Sequence, residues 1–309
     1  MSFVSCYEGS PLILMEGALG MRLRREYNLP YHDIVALADI IYRKGGKEAL
    51  GTIWNQYIDV AKKYHLPFMA TTPLRRANKE RVFTAGFDEA ILLDNIQFLK
   101  QVRDASNAEM YIGGCLGCKG DAYKATEVLQ PDDAVEFHSW QADIYTRAGV
   151  DYLYAPIMPA LPEAIGMARA MERTGLPYII SFMIRKNGRL IDGTTISDAI
   201  QQIDQSVRTQ PVCYMTNCVH PDVLHKALNH DFNRTPFIKQ RFHGIQPNTS
   251  ALAPEELDDS VGLICSDPAE LARSVKKLTE VISLKIVGGC CGTDNTHIEE
   301  IAETMSPVR

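Results

Sequence analysis

The stretch LKIVGGCC (residues 284–291) is a short apolar run that ends in two glycines and two adjacent cysteines. It is the last of eight such runs, and each is too short for a globular helix. Most are rich in β-branched or aromatic residues, as buried parallel strands are. The other runs, in chain order, are LILMEG (12–17), LPFMATT (66–72), EMYIGGCLG (109–117), DYLYAPIM (151–158), PYIISFMI (177–184), PVCYMTNC (211–218) and FHGIQPN (242–248).

Amphipathic segments separate these runs and predict helices between the strands. The segments DDAVEFHSWQADIYTRAG (132–149) and LPEAIGMARAMERTG (161–175) carry apolar residues at helical spacing. Gly175 is placed to end the second of these helices. Residues 33–64 predict two further helices, divided at KGGK (44–47).

Eight strands alternating with helices predict an α/β fold, a single (β/α)₈ TIM barrel, for which about 250 residues is typical. A doubly wound open sheet is the alternative. The 309 residues are 46% hydrophobic, enough to bury a sizeable core. No Pro- or Ser-rich linker divides the chain, so we expect one domain over residues 1–309.

Charge and cysteine content limit the partners and the compartment. A formal net charge of −6 without a long Lys/Arg cluster argues against a nucleic-acid partner. No run reaches the roughly 20 apolar residues of a membrane span, and the N-terminus lacks the basic start of a signal peptide. Eight cysteines are too few for a disulfide scaffold of this size. We therefore expect a cytoplasmic protein with reduced cysteines and no membrane partner.

The active site of such a barrel lies at the C-terminal ends of its strands. The polar, glycine, proline or cysteine residues that end the runs are Glu16, Gly17, Thr71, Thr72, Cys115, Pro156, Arg185, Asn217, Cys218, Asn248, Cys290 and Cys291. Three cysteines thus fall at the ends of only two runs, the sixth and the eighth. The glycines of GGCCG release the backbone, so that both adjacent side chains can turn toward one point.

Three thiolates at one locus fit a catalytic Zn²⁺ that keeps an exchangeable fourth position. A substrate thiol in that position would be held as the thiolate near neutral pH, and the thiolate is the nucleophile. We therefore expect Cys218, Cys290 and Cys291 to bind the metal and to act in catalysis. The chemistry implied is attack by sulfur on an electrophilic carbon.

Other interpretations of the cysteines remain open at this stage. A cysteine at a strand end is commonly a small buried hydrophobic residue. The adjacent pair Cys290–Cys291 is also compatible with a redox disulfide. The two-residue spacing of CLGC (115–118) suggests a zinc knuckle or a redox pair, but no second such pair exists, and we interpret Cys115 and Cys118 as structural.

The chain resembles the zinc-dependent homocysteine S-methyltransferases, which include betaine– and S-methylmethionine–homocysteine methyltransferases and the homocysteine module of methionine synthase. The motifs that carry the resemblance are GGCCGT (288–293) and TNC (216–218). Weaker support comes, in order, from MEGALGMRL (15–23), GDAY (120–123), AGVDYL (148–153), SFMIRKNGRLIDGT (181–194) and PNTSALAPEELD (247–258).

This resemblance runs from about residue 12 to 303 and implies the barrel fold. It implies that Cys218, Cys290 and Cys291 bind zinc and that Asn248 is the fourth ligand when no thiol is bound. The implied function is methyl transfer to a thiol, most simply homocysteine to give methionine. The donor would be a small sulfonium or quaternary ammonium compound, or a methyl-carrier protein.

Two departures from the family concern the acceptor. Glu16 stands where relatives usually carry Asp. Pro156 stands where relatives carry a glutamate that helps to hold the amino group of homocysteine. The lost charge-assisted contact is worth about 1.5–3 kcal/mol, so homocysteine should bind more weakly here, or another thiol should be preferred. Glu163, one turn into the next helix, is expected to face solvent or to cap that helix.

The residues expected to bind substrate are Glu16, Gly17, Ala18, Thr72, Arg76 and Asn217. Arg75 and Arg76, in TTPLRRAN (71–78), follow the second run at the predicted catalytic face. They are either solvated loop cations or partners of a substrate carboxylate, which the guanidinium fork binds well. The competing functions are a dithiol redox protein and a zinc-binding barrel that senses thiols or metal.

Overall fold

The computed structural model describes residues 2–250 and 267–306, in which eight parallel strands close into a barrel in sequence order. Each strand lies within one of the eight predicted runs or extends one residue beyond it, and the predicted TIM barrel is confirmed. The strands are β1 (Ile13–Met15), β2 (Phe68–Thr71), β3 (Met110–Cys115), β4 (Tyr152–Met158), β5 (Tyr178–Phe182), β6 (Cys213–Val219), β7 (Phe242–Pro247) and β8 (Ile286–Val287).

Helices precede, connect and follow the strands. The α-helices of the described residues are α1 (Phe3–Gly9), α2 (Gly20–Glu26), α3 (Gly46–Lys63), α4 (Lys79–Thr84), α5 (Ala90–Ser106), α6 (Pro131–Ala148), α7 (Leu161–Glu172), α8 (Ile196–Ser206), α9 (Pro221–Leu228), α10 (Pro236–Arg241), α11 (Pro268–Lys277) and α12 (Asn295–Met305). Both quoted helical segments, 132–149 and 161–175, are therefore helical over most of their length. Residues 251–258 of the motif PNTSALAPEELD lie outside the described residues.

The prediction of two helices over residues 33–64 is only half right. The second helix is α3, but the segment before it contains turns and one short 3₁₀ helix, Ile40–Tyr42. Gly45, at φ +75°, precedes α3, and an added Cβ at Gly46 would collide with the carbonyl of Ile40. The glycines of KGGK therefore serve a tight turn into α3 rather than a break between two α-helices.

The barrel is closed at the amino ends of its strands by α1. Phe3 stacks on Tyr152 with ring centroids 4.6 Å apart, and it meets Tyr111 edge-on at 5.7 Å. Phe3, Cys6 and Tyr7 join one buried cluster with the first residues of several strands. Because α1 covers this end, a site formed by the barrel interior opens at the carboxyl ends.

Candidate metal centre

The sulfurs of Cys218, Cys290 and Cys291 meet at the carboxyl ends of β6 and β8. The Cys218 and Cys290 sulfurs lie within covalent bonding distance, and the Cys291 sulfur is 3.8 Å from that of Cys218. All three lie within 4.8 Å of one another. In residues 2–250 and 267–306 this is the one group of three or more His, Cys, Asp or Glu side chains close enough to share a metal ion.

Unusual backbone conformations direct these side chains. Cys218 has φ +59°, a left-handed conformation that few residues other than glycine adopt, and Gly292 has φ +84°. The Cys290 N–H donates to the carbonyl of Pro247 at 2.6 Å, and the Gly289 N–H donates to the carbonyl of Glu16 at 3.0 Å. The loop after β8 is thus hydrogen-bonded to both neighbouring strands, which fixes the adjacent cysteines.

Asn248, which directly follows β7, carries a polar atom without a partner. The side chain is 4% exposed, and its Nδ2 donates to the carbonyl of Cys218 at 3.3 Å. Its Oδ1 is buried and accepts no hydrogen bond from any described residue. A buried amide oxygen without a donor costs about 1–3 kcal/mol, so this oxygen is suited to a ligand at the cysteine cluster.

The remaining strand-end cysteine and its neighbour lie elsewhere. Cys115 and Cys118 are 5% and 6% exposed and do not belong to the three-cysteine cluster. Burial raises the pKa of each thiol to about 12, so neither is a ready nucleophile. The structural interpretation of CLGC therefore fits their surroundings.

Glu16 directly follows β1 and is buried, with 5% exposure. Its Oε1 accepts from the N–H and hydroxyl of Thr71 at 2.8 and 2.6 Å, and its Oε2 accepts from Trp54 Nε1 at 2.7 Å. Burial raises the pKa of Glu16 to about 7, although these hydrogen bonds oppose the rise. No Lys or Arg pairs with this carboxylate among the described residues.

Several residues expected to bind substrate have their polar groups engaged in the scaffold. The Thr72 hydroxyl accepts from the Cys115 N–H at 3.1 Å. The Ala18 N–H donates to Thr293 Oγ1 at 3.0 Å, and the Ala18 carbonyl accepts from the Tyr57 hydroxyl at 2.8 Å. Gly17 lies against the Tyr57 ring, where an added Cβ would approach the hydroxyl to 2.8 Å. These residues shape the site, but their substrate contacts stay a prediction.

Asn217 connects β6 to β4 and to β5 through its side chain. Its Oδ1 accepts from the Ile157 N–H at 2.8 Å and from the Ser181 hydroxyl at 2.6 Å. Ile157 follows Pro156 and has φ +46°, a strained conformation for a β-branched residue. The register of β4 with β5 shifts at this point. Asn217 therefore holds the strand end that carries Pro156.

Arg75 and Tyr123 interact electrostatically with Cys291. Burial raises the pKa of the Cys291 thiol, and the positive charge of Arg75 opposes that rise. Burial likewise raises the pKa of Tyr123 to about 12, with the charge of Cys291 adding to the rise and that of Arg75 opposing it. Arg76 is half-buried beside Arg75. Of the two arginines that follow β2, Arg75 is therefore close enough to affect the charge of Cys291.

The expectation for Glu163 is wrong, because this residue is buried and 1% exposed. Its Oε1 accepts from the Lys119 N–H at 2.7 Å and lies 3.1 Å from His138 Nε2, on α6. Sequence reasoning missed this pair. The available signal was helical spacing, since Glu163 lies four and seven residues before Met167 and Ala170, which are buried on the same helix.

No helix in the described part of the chain combines the length and apolar character needed to cross a membrane.

Comparison with known proteins identifies relatives of this chain. A family model described as homocysteine S-methyltransferase matches residues 13–305. The chain is 26% identical over 187 residues to homocysteine S-methyltransferase YbgG of Bacillus subtilis (strain 168), and 27% identical over 136 residues to homocysteine S-methyltransferase 2 of Saccharomyces cerevisiae. These matches cover 59% and 42% of this chain, and 56% and 39% of those relatives.

Solved structures show the same fold. The metallated form of the homocysteine methyltransferase MmuM from Escherichia coli matches with a TM-score of 0.75 and 18% identity, over 97% of this chain and 98% of that one. The oxidized form of the same protein matches with a TM-score of 0.76 and 19% identity, over 96% and 97%.

Proposed function

Because the chain belongs to the homocysteine S-methyltransferase family, we propose that it transfers a methyl group to a thiol acceptor, most simply homocysteine to give methionine. The observation that carries this proposal is the meeting of three cysteine sulfurs within 4.8 Å at the carboxyl end of the barrel. Sulfur ligands of this kind suit zinc, whereas hard cations prefer oxygen.

The residues present fit a zinc ion. Cys218, Cys290 and Cys291 would supply three thiolates, and the unpartnered Oδ1 of Asn248 would supply the fourth ligand until a substrate thiol displaces it. Zinc, when bound, would lower the pKa of the substrate thiol so that it is held as the thiolate near pH 7. An amide oxygen is the weaker ligand beside three sulfurs, so it suits this exchangeable position.

The chain's own residues would orient the reactants. In the reaction the acceptor sulfur forms a bond to the methyl carbon, and the bond from that carbon to the donor breaks. The bonding electrons leave with the donor, so its sulfonium or quaternary ammonium centre becomes a neutral thioether or tertiary amine. Alignment is a major part of the rate gain in such transfers, and the residues proposed to align the two reactants are Glu16, Gly17, Ala18, Thr72, Arg76 and Asn217.

The wider proposal concerns the molecular setting. We infer one domain over residues 1–309, and partners limited to a small thiol acceptor and a methyl donor, the donor being a small molecule or a methyl-carrier protein. Nucleic acid and membranes are not expected partners. A cytoplasmic location would keep the three cysteines reduced, as metal binding requires.

A methyl-transfer panel tests this function. The purified protein would be incubated with isotopically labelled sulfonium and quaternary ammonium donors and with homocysteine or other thiols. We expect a labelled thioether with wild-type protein and with Cys115→Ala, a control that removes a buried thiol outside the cluster. Cys218→Ala should lose zinc and at least about 100-fold of the rate, because one of three ligands is gone. Zinc-loaded wild-type protein that methylates no thiol in the panel would contradict the proposal.

The contact between the Cys218 and Cys290 sulfurs favours a second candidate, a dithiol redox protein. The two candidates differ in the resting state of freshly purified protein. Methyl transfer requires about one bound zinc and reduced thiols, whereas a redox protein would contain a cysteine pair that cycles without metal. Zinc content and thiol titration on the same sample separate them.

A further inference from the structure

The loop between β2 and α4 presents two adjacent arginines at the carboxyl end of the barrel. Its backbone is fixed on both sides of them. The Arg75 carbonyl accepts from the Gly117 N–H at 3.1 Å, and the Leu74 carbonyl accepts from Gln141 Nε2 at 2.9 Å. Asn78 then caps α4 through its side chain. The backbone at Arg75 and Arg76 is therefore held by the loop after β3, by α6 and by α4.

The two guanidinium groups lack counter-charges. Within residues 2–250 and 267–306, neither Arg75 nor Arg76 makes an ion pair or a side-chain hydrogen bond. Both are half-buried, whereas the solvated-cation alternative needs exposed side chains. Arg81, four residues beyond Ala77, adds a third positive charge and donates to the carbonyls of Ile34 and Lys119.

The electrostatic environment is unfavourable to these cations in the absence of an anion. Burial lowers the pKa of the Arg76 guanidinium, and the positive charges of Arg81 and Arg75 lower it further. The negative charge of Asp121 raises the pKa of Arg76 and so opposes this lowering. In the described part of the chain Asp121 makes no ion pair with Arg76, and its Oδ1 accepts from the Tyr123 N–H at 2.7 Å. Half-buried cations at close spacing destabilise one another unless an anion lies between them.

We propose that Arg75 and Arg76 form a binding site for an anionic group, a carboxylate in the simplest case, carried by one of the two substrates of the proposed methyl transfer. The loop after β2 and the three sulfurs lie at the same, carboxyl end of the barrel, so an anion bound by these arginines would place the rest of a small substrate toward the cysteine cluster. The paired forks match a carboxylate, which accepts two parallel N–H bonds from one guanidinium. The identity of the ligand as a substrate rests on the proposed function, whereas the existence of an anion site does not.

Binding of thioethers tests the site without any transfer. Isothermal titration calorimetry would compare 3-(methylthio)propanoate with 3-(methylthio)propan-1-ol, which differ in the carboxylate. Wild-type protein should bind the carboxylate at least about 10-fold more tightly, the ratio expected for a charge-assisted contact. The preference should fall about 10-fold in Arg75→Gln/Arg76→Gln and be unchanged in Arg208→Gln, a control with an exposed arginine at the amino end of β6. No preference in wild-type protein, or one that survives in the double variant, would overturn the proposal.

Kinetic measurements then identify which substrate carries the anion. The acceptor arm compares homocysteine with 3-aminopropane-1-thiol, and the donor arm compares dimethylsulfoniopropionate with trimethylsulfonium. Loss of the carboxylate preference in one arm of the double variant assigns the anion to that substrate, and zinc content should be unchanged. A preference retained in both arms would overturn the proposal. Wild-type protein that transfers no methyl group would contradict the proposed function, while the calorimetric ratio would still decide the anion site.

Discussion

At the scale of single residues, the site contains two groups that lack the usual charged partner. Glu16 is a buried carboxylate without a cation, and Arg75 is a half-buried cation without a carboxylate. Each statement concerns residues 2–250 and 267–306. Three hydrogen-bond donors partly offset the cost of burying the Glu16 carboxylate. The Arg75 guanidinium has no such partner among the described residues. Such groups cost free energy in an empty site, which is typical of residues selected to meet a substrate.

Glu16 makes the stability of the protein depend on pH. Because burial raises its pKa from 4.5 to about 7, the folded state binds more protons than the unfolded state between these values. The contribution of Glu16 to the free energy of unfolding is therefore most favourable below about pH 4.5. It falls by about 3 kcal/mol as the pH rises to about 7. Glu16→Gln does not titrate, so its free energy of unfolding relative to wild type should rise with pH across this window. Urea unfolding at several pH values measures this difference, with the surface substitution Glu299→Gln as control. If the free energy of unfolding changes with pH in the same way in wild type and in Glu16→Gln, Glu16 is not the group responsible.

Pro156 is the residue whose replacement should change acceptor preference. In Pro156→Glu the new carboxylate is expected to contact the amino group of homocysteine and raise kcat/KM for that acceptor about 10-fold or more. Acceptors without an amino group, such as 3-mercaptopropanoate, provide the internal control and should not gain. Efficient use of homocysteine by wild-type protein, with no gain in a folded Pro156→Glu variant, would show that the missing glutamate matters little here.

At the scale of elements, α6 and α7 hold the loop that follows β3. The buried pair His138–Glu163 joins the two helices, and Glu163 also accepts from the Lys119 N–H. The same loop supplies the Gly117 N–H that holds Arg75. This buried hydrogen-bonded pair therefore links the packing of α6 and α7 to the geometry of the site mouth.

Removal of Glu163 should be costly for this reason. Glu163→Ala leaves His138 and the Lys119 N–H, two buried hydrogen-bonding groups, without their shared acceptor, and we expect a loss of about 2–5 kcal/mol in the free energy of unfolding. Glu163→Gln keeps an acceptor and should cost about half as much or less. The surface substitution Glu299→Ala removes an exposed pair with Lys63 and should cost at most about 1 kcal/mol. Urea denaturation compares the three, and equal losses in Glu163→Ala and Glu299→Ala would contradict the role of the pair.

The sequence predicted elements better than their connections. All eight strands coincide with predicted runs, because a short apolar run between two helical segments usually forms a buried strand. The segment 33–45 and the orientation of Glu163 were predicted wrongly. The conformation of residues 33–45 and the burial of Glu163 both depend on tertiary contacts, and the local sequence pattern says little about those contacts.

At the scale of the whole molecule, the order of the strands brings the three cysteines together. Cys218 and Cys290 are 72 residues apart in sequence, and β7 lies between their strands. Asn248 follows β7 and so lies between the two cysteine-bearing strand ends. This part of the site was predictable because strand order fixes which carboxyl ends are neighbours. The sequence did not predict that Thr72, Ala18 and Asn217 form hydrogen bonds within the scaffold. These bonds depend on the directions of side chains and backbone groups at each strand end.

The zinc-edge X-ray absorption spectrum of the purified, reduced protein tests the central claim most directly. We predict about one zinc per chain with three sulfur ligands and one light-atom ligand at rest, becoming four sulfur ligands when the acceptor thiol is added. In Asn248→Ala the light atom should be replaced by water, with faster exchange for thiol but the same final spectrum. Protein without zinc, or with four sulfurs before any thiol is added, or with no new sulfur after it, would contradict the account.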